Sequence, residues 1–199
     1  MVKAILFDLG DTILHSDWKP RDEAMIKEAG ISVLLTPETK PLYLEISAGK
    51  KSVKELFKKI LEQSNSDKTV EEVIEIYKRN YQKFSSIDEK MLKIVKKLRK
   101  RYKVYAFSNT NTLHEEINKK RGLYEHFDDI FLSCDLGVIK PNKEVFHIVL
   151  GKVGLKANKT LFIDDNEKNI NVAKEVGMEA IQFKDYNQLI LEFKNRSIL

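Results

Sequence analysis

The hydrophobic pattern changes period after the first dozen residues, and that change organises the rest of the chain. Ala4-Ile5-Leu6-Phe7 is an unbroken apolar run that stops abruptly on Asp8. Such a run reads as a strand buried on both faces, as in a parallel sheet, so Asp8 is expected at the strand's carboxyl end. Leu9-Gly10-Asp11-Thr12 then turns the chain away. Taken alone, this stretch is equally an Asp that merely begins a turn, which Asp often does. The segments that follow decide between the two readings.

After Thr12 the pattern is helical. Residues 21–29 are expected to form a helix closed by Gly30, a residue suited to a left-handed cap. Pro37 and Pro41 punctuate the connection beyond it. Ser52 with Glu55, and Thr69 with Glu72, have capping-box spacing. The helices they open place Val53, Leu56, Phe57, Ile60 and Leu61, then Val70, Val73, Ile74, Tyr77 and Tyr81, on one stripe each. Ser86 and Glu89 repeat the spacing before a helix carrying Met91, Leu92, Ile94, Val95 and Leu98. From there short strands, 104–107, 130–133, 160–163 and 179–183, alternate with helices beginning near Thr112, Asn142 and Asn166. That alternation means βαβ units and a parallel sheet, an α/β fold. The expected organisation is a core of residues 1–15 and 86–199, interrupted by a helical insert over 16–85.

Composition narrows the function classes. The 199 residues carry 42% hydrophobic side chains, enough for a core, and a net charge of +5 from 35 basic and 30 acidic residues. The densest basic run, Lys96 to Lys103, closes a helix, where cations complement the helix dipole. No nucleic-acid-binding motif accompanies it, so nucleic acid is not an expected partner. No apolar run is long enough for a membrane span, so no membrane partner is expected either. A lone Cys134 suits a reducing compartment, and a cytoplasmic location is expected.

The candidate chemistry lies at the strand ends. One strand ends Phe107-Ser108-Asn109-Thr110, and Lys140-Pro141-Asn142 precedes an expected Pro-started helix. Another strand ends Ile163-Asp164-Asp165-Asn166. In a parallel sheet these ends lie along one edge, where ligands bind. Asp8, Asp164, Asp165 and Lys140 sum to a charge of −2. Two like charges about 4 Å apart repel by roughly 4 kcal/mol at an effective dielectric near 20, so the cluster calls for a cation. Hard oxygen donors suit Mg²⁺, which favours one or two carboxylates, waters and a substrate phosphate.

These four segments resemble, in order and spacing, the four motifs of the haloacid dehalogenase superfamily of hydrolases. The most specific part is Phe162-Ile163-Asp164-Asp165 with Asn169, Ala173 and Gly177. The resemblance covers essentially the whole chain. It implies a Rossmann-like parallel sheet core with helices on both faces and a small α-helical cap. It implies a Mg²⁺-dependent phosphatase acting on a small phosphorylated metabolite, with Asp8 as a nucleophile that forms an aspartyl-phosphate. Ser108, Asn109 and Thr12 are then expected at the phosphate or its turn, and Lys140 as the cation between Asp8 and the phosphoryl oxygens. The expected metal ligands are Asp8, the Gly10 carbonyl, Asp164 and Asp165, with Asp165 direct and Asp164 through water. The oligomeric state is not legible.

One position departs from the family pattern. Gly10 stands where the phosphatases have their general acid, two residues after the nucleophile. Asp11 is the obvious substitute, but residues three apart in extended chain face opposite ways, which favours Asp11 as a turn or capping residue. A dehalogenase, or a non-catalytic binding protein without the acid, are the competing readings. Trp18, Arg21 and Gly49-Lys50-Lys51 fall in the cap, the lysines expected in solvent. His15, His114, His126 and His147 have no ligand spacing, and Cys134 reads as a small buried group.

Overall fold

In the computed structural model, which describes residues 1–199, β1 (Ala4–Phe7) is the middle of a five-stranded sheet. Two short strands follow in the chain, β2 (Leu14–Ser16) and β3 (Ser85–Ile87). Next come β4 (Lys103–Ser108), β5 (Asp129–Leu132), β6 (Thr160–Asp164) and β7 (Glu179–Gln182). The sheet order is β5-β4-β1-β6-β7 and every pairing in it is parallel. The chain runs outward through β4 to β5, then crosses back over β1 to β6. The reversal puts the crevice of the sheet at the carboxyl end of β1, where Asp8 stands.

All four β1 residues are fully buried, as the unbroken apolar run requires. The pleat divides them. Ile5 and Phe7 join an apolar cluster with α5 (Glu89–Leu98) and α10 (Tyr186–Asn195). Leu6 joins Phe107 and Phe162 in a second cluster with α8 (Lys143–Val153) and α9 (Glu167–Glu175). The core is therefore the expected parallel sheet with helices on both faces.

The insert begins and ends side by side, because β2 and β3 form an antiparallel ribbon. Between its strands lie α1 (Trp18–Ala29), α2 (Lys40–Ser47), α3 (Val53–Glu62) and α4 (Val70–Lys83). The expected boundaries at 16 and 85 fall on this ribbon. Capping boxes open α3 and α4 at Ser52/Glu55 and Thr69/Glu72. The Ser86/Glu89 reading is corrected: Ser86 pairs with His15 in the ribbon, and Asp88 caps α5 by accepting from the N–H groups of Lys90 and Met91. Pro41 does not interrupt a connection. It sits in the first turn of α2, where a missing N–H costs no helical bond. Pro141, by contrast, precedes its helix, since α8 is capped by Asn142.

The cap's α2 is fastened to the core. The Ser133 hydroxyl, fully buried at the start of α7 (Ser133–Leu136), donates to the Ser47 carbonyl at 2.6 Å and accepts from the Thr110 N–H at 2.9 Å. Gly49, in the left-handed region at φ 66°, lies so close to the Cys134 carbonyl that a β-carbon would collide with it. Gly137 is also left-handed, at φ 78°, but faces open space. Gly49→Ala should therefore cost about 2–3 kcal/mol, and Gly137→Ala only about 1. Urea unfolding of the two variants measures the difference, and equal losses would show that the Gly49 contact is without consequence.

Candidate active site

The strand ends converge on one ammonium group. Lys140 reaches from the loop before α8, and its Nζ donates to Asp8 Oδ1 at 2.6 Å, Asp164 Oδ2 at 2.7 Å and the Phe107 carbonyl at 2.9 Å. It is buried, and its charge also lies 4.9 Å and 5.1 Å from the ring centres of Phe107 and Phe162. Burial alone would push its pKa down. The carboxylates of Asp8 and Asp164 outweigh that, so the ammonium form is held above its ordinary range.

Each carboxylate has a different surplus of oxygen. Asp164 is fully buried and saturated, accepting also from the Asn166 N–H at 2.8 Å and from Asn169 Nδ2 at 3.0 Å on both oxygens. Asp8 Oδ2 accepts no hydrogen bond, and neither does the exposed Asp165 carboxylate. Burial pushes Asp8 up to about 7, with the Asp164 and Asp165 charges adding to it and Lys140 opposing. Asp165 is raised by partial burial first, then by Asp164 and Asp11. Ligand oxygens of Asp8, Asp164 and Asp165 lie within 4.8 Å of one another. Hard oxygens, three of them uncommitted, on neighbouring carboxylates fit a divalent cation such as Mg²⁺. The Gly10 carbonyl is also without a partner. Asp165, Asp8 and Gly10 are thus the groups free to hold it, and Asp164 is spent on fixing Lys140 and the β6 turn.

The donors form a second set. The Leu9 carbonyl accepts from the N–H groups of Thr12, Ile13 and Leu14 and so folds the loop after Asp8 tightly. The N–H groups of Leu9, Gly10 and Asn109 have no partner within the protein. The Ser108 hydroxyl, buried at the end of β4, has only a 3.5 Å contact to its neighbour's carbonyl. Asn109 has a task that sequence reasoning missed. Its side-chain amide donates to the Lys140 carbonyl and accepts from the Lys140 N–H, both at 2.9 Å, so it clamps the loop that delivers the ammonium. Its side chain is therefore committed to Lys140, and only its backbone is open to a ligand. Thr12 is fully buried in the turn, with a hydroxyl oxygen that meets no partner.

Asp11 is a turn residue, as expected, but the alternation argument behind that reading does not apply to it. Its φ of 51° is left-handed, which breaks the extended-chain geometry on which that argument rests. Its side chain makes no capping hydrogen bond. It lines a cleft of about 200 Å³ together with Gly10, Ser108, Asn109, Arg21 and His114. Gly10 itself has room: a β-carbon there would sit 3.7 Å from Asp8 Oδ2, an ordinary contact.

From the cap, Arg21 and Tyr43 reach this cleft, whereas Lys50 and Lys51 are exposed as expected. Of the histidines only His114 borders it, stacked 4.1 Å from Tyr81 with Nε2 2.8 Å from the Tyr77 hydroxyl. Burial, with Arg21 nearby, pushes His114 down to about 3, so it is a neutral hydrogen-bonding group. The signal that could have found it is its place in the chain. Asn111 caps α6 (Thr112–Lys120) just beyond the strand end at Ser108, which holds the first turn of that helix, His114 included, beside the cleft. Cys134 is half-buried rather than buried, and that burial still pushes it up to about 12, which leaves it an inert thiol.

The ion triad is a stability element as well. Lys140→Met removes the cation and leaves Asp8 and Asp164 facing each other without compensation. The expected loss is about 3–5 kcal/mol in urea unfolding at neutral pH. A variant as stable as the parent would mean that the carboxylates are compensated by something other than Lys140.

The chain is similar in sequence and fold to known proteins. The D-ribitol-5-phosphate phosphatase of Bacteroides thetaiotaomicron is 31% identical over 193 residues, 92% of each chain. A haloacid dehalogenase family enzyme from the same organism, solved with magnesium and inorganic phosphate, superposes with a TM-score of 0.79 at 25% identity, over 95% of this chain and 99% of that one. The L-2-haloacid dehalogenase of Xanthobacter autotrophicus shares the fold, with a TM-score of 0.66 at 17% identity over 99% of this chain and 83% of that one. Residues 2–177 match the family model for haloacid dehalogenase-like hydrolases, and the chain belongs to that family.

Proposed function

We propose that the chain is a Mg²⁺-dependent phosphatase that cleaves a small phosphorylated metabolite through an aspartyl-phosphate on Asp8. The observation that carries this reading is the division of labour around Asp8. One oxygen is held by Lys140 and the other is uncommitted, with unpaired N–H donors in the same loop. Carboxylate oxygen attacks phosphorus, the ester P–O bond breaks, and its electron pair leaves on the alcohol oxygen. Water then attacks the phosphoryl-Asp8, releasing inorganic phosphate and restoring the carboxylate.

The chain's own groups take the remaining roles. Lys140, Ser108 and the N–H groups of Leu9, Gly10 and Asn109 stabilise the negative charge that develops on the phosphoryl oxygens. Thr12 steadies the turn that presents them. Asp8, Asp165 and the Gly10 carbonyl, backed by Asp164, would hold Mg²⁺, which would supply the positive charge that lets a phosphate enter a carboxylate-rich site. Residues 16–85 act as the cap over this edge and exclude bulk water. The B. thetaiotaomicron relatives, one named for a sugar-alcohol phosphate and one solved with magnesium and phosphate, support the same chemistry. A dehalogenase would need the nucleophile but no metal, and Asp165 would then stand as an unpaired carboxylate beside Asp164.

Asp11 is the acid in this reading. Its left-handed backbone and its place on the cleft beside Gly10 and Ser108 support a carboxyl that protonates the leaving alcohol and later takes a proton from water.

Two expected outcomes test the proposal. Millimolar Mg²⁺ should raise the melting temperature of the native protein by mass action, and Asp165→Asn should abolish most of that rise. Asp8→Asn should retain the fold and lose turnover. A melting curve indifferent to Mg²⁺, or an active Asp8→Asn checked by mass spectrometry for deamidation, sinks the mechanism. The acid is tested separately. Asp11→Asn should slow alkyl phosphates by about 10²–10⁴ while sparing p-nitrophenyl phosphate, whose leaving group needs no proton. Equal effects on both ester types would remove Asp11 from that role, and a rescue by Gly10→Asp in the Asp11→Asn background would locate the acid at the family's usual position.

A further inference from the structure

The cleft shares part of its wall with a second, larger space that none of the roles above uses. Arg21, Tyr43 and His114 border both. Beyond them lies a cavity of about 530 Å³ between the cap helices and the start of α6. That volume is within the ~300–1,000 Å³ typical of small-molecule sites. Its walls are hydrocarbon: Ile46 from α2, Leu56, Phe57 and Ile60 from α3, Tyr77 from α4, and Leu113 from α6. Arg21, Asn111 and His114 interrupt them, and Trp18, Tyr43 and Tyr77 each add one polar atom to an otherwise apolar side chain. Arg21 and His114 are shared with the cleft and Asn111 follows the catalytic loop, so the polar residues gather at the end nearest Ser108.

We propose that this cavity is the leaving-group site, and that the preferred substrates are phosphate monoesters of apolar alcohols with an extended alkyl or aryl part rather than of sugars or polyols. The inference rests on the phosphatase reading above. A polyol in this space would bury hydroxyl groups against Ile46, Leu56, Phe57 and Ile60, side chains that offer no hydrogen bond to replace water. A hydrocarbon loses nothing there and gains the transfer free energy of each methylene. Leu34, Leu35 and Trp18 continue the apolar surface to the mouth, where they are half exposed at 44%, 44% and 56%. Large side chains kept partly in water around one opening are accounted for if they close over a hydrocarbon when it binds. The narrow end matches the other half of such a molecule. Arg21 donates to the Ser16 hydroxyl at 3.0 Å and lies over the rings of Tyr77 and Tyr81, while its buried Nε has no partner. It is thus a cation at the boundary between the phosphate side and the apolar side.

Trp18 is the chain's single tryptophan and lies on the cavity, so binding can be read without turnover. The probes are n-alkyl phosphonates from two to ten carbons, titrated into the Mg²⁺-loaded protein by Trp18 fluorescence, with kcat/KM for the matching n-alkyl phosphates and for ribitol 5-phosphate. Affinity and kcat/KM are expected to rise about fourfold per added methylene until the cavity is filled. Long alkyl phosphates should then exceed ribitol 5-phosphate by at least a hundredfold. Ile60→Gln in the wall and Leu34→Gln at the mouth should each flatten the chain-length dependence. Leu34 is partly exposed, so its variant keeps the test alive if Ile60→Gln fails to fold. Affinity independent of chain length, or a preference for ribitol 5-phosphate, overturns the proposal while leaving a phosphatase. Chain-length-dependent binding without phosphate release from any ester, p-nitrophenyl phosphate included, overturns the phosphatase reading and with it the assignment of the cavity to a leaving group.

Discussion

The arrangement depends on a buried cation shared by two carboxylates at the ends of adjacent strands. Asp8 and Asp164 follow or close β1 and β6, which pair in register, so the backbone ladder alone sets their spacing. Both carboxylates share Lys140 as their compensating cation, and Lys140 could not remain charged in the interior without them. The mutual need explains the supporting contacts. Asn109 clamps the Lys140 backbone, Asn169 and the Asn166 N–H hold Asp164, and the packed rings of Phe107 and Phe162 form the floor. Phe146 meets both rings nearly edge-on at 5.3 Å and 5.5 Å, which fixes the floor to α8 and hence to the loop that carries Lys140.

Because Lys140 neutralises only part of the cluster, the surplus charge falls on the outer carboxylates. Asp164 spends its oxygens inward, so the uncommitted oxygens are Asp8 Oδ2 and those of the exposed Asp165. The same saturation that makes Asp164 structural makes its neighbour available. A pair of adjacent aspartates thus divides into one that builds the site and one that serves it, a division set by the β6 pleat and the turn after it.

What the sequence made legible follows from the same physics. Asp8 could be placed because a strand buried on both faces cannot tolerate a carboxylate except at its end. The Ser52 and Thr69 boxes could be placed because capping is local. The features that escaped are those decided by distant partners or by very short elements. The β2–β3 ribbon has three residues per strand, too few for alternation to register, and its Ser86 imitates a helix cap. The Asn109 clamp depends on a loop 31 residues away. Pro41 reads alike as a helix breaker and as a first-turn residue until the helix after it is known. C-terminal α10, whose Leu189 and Phe193 cover one sheet face, carried no strand-end chemistry to draw attention to it.

The Asp11 turn and the cap cavity are linked through the loop after Asp8. A chain continuing from β1 in extended form would send Asp11 to the opposite side from Gly10. The three amides gathered on the Leu9 carbonyl bend the loop at once, and the left-handed Asp11 completes the reversal into β2. The same bend therefore brings Asp11 to the cleft, leaves the Leu9 and Gly10 amides unpaired, and starts the ribbon from which the cap is hung. Polar groups collect on the core side of that bend because unpaired amides and carboxylates belong at an open sheet edge. The cap contributes the amphipathic faces of α3 and α4, with Phe57 and Tyr77 packed at 5.3 Å, so what faces the edge from above is mostly hydrocarbon. On the proposed reading, a substrate lying between them is charged at one end and apolar at the other.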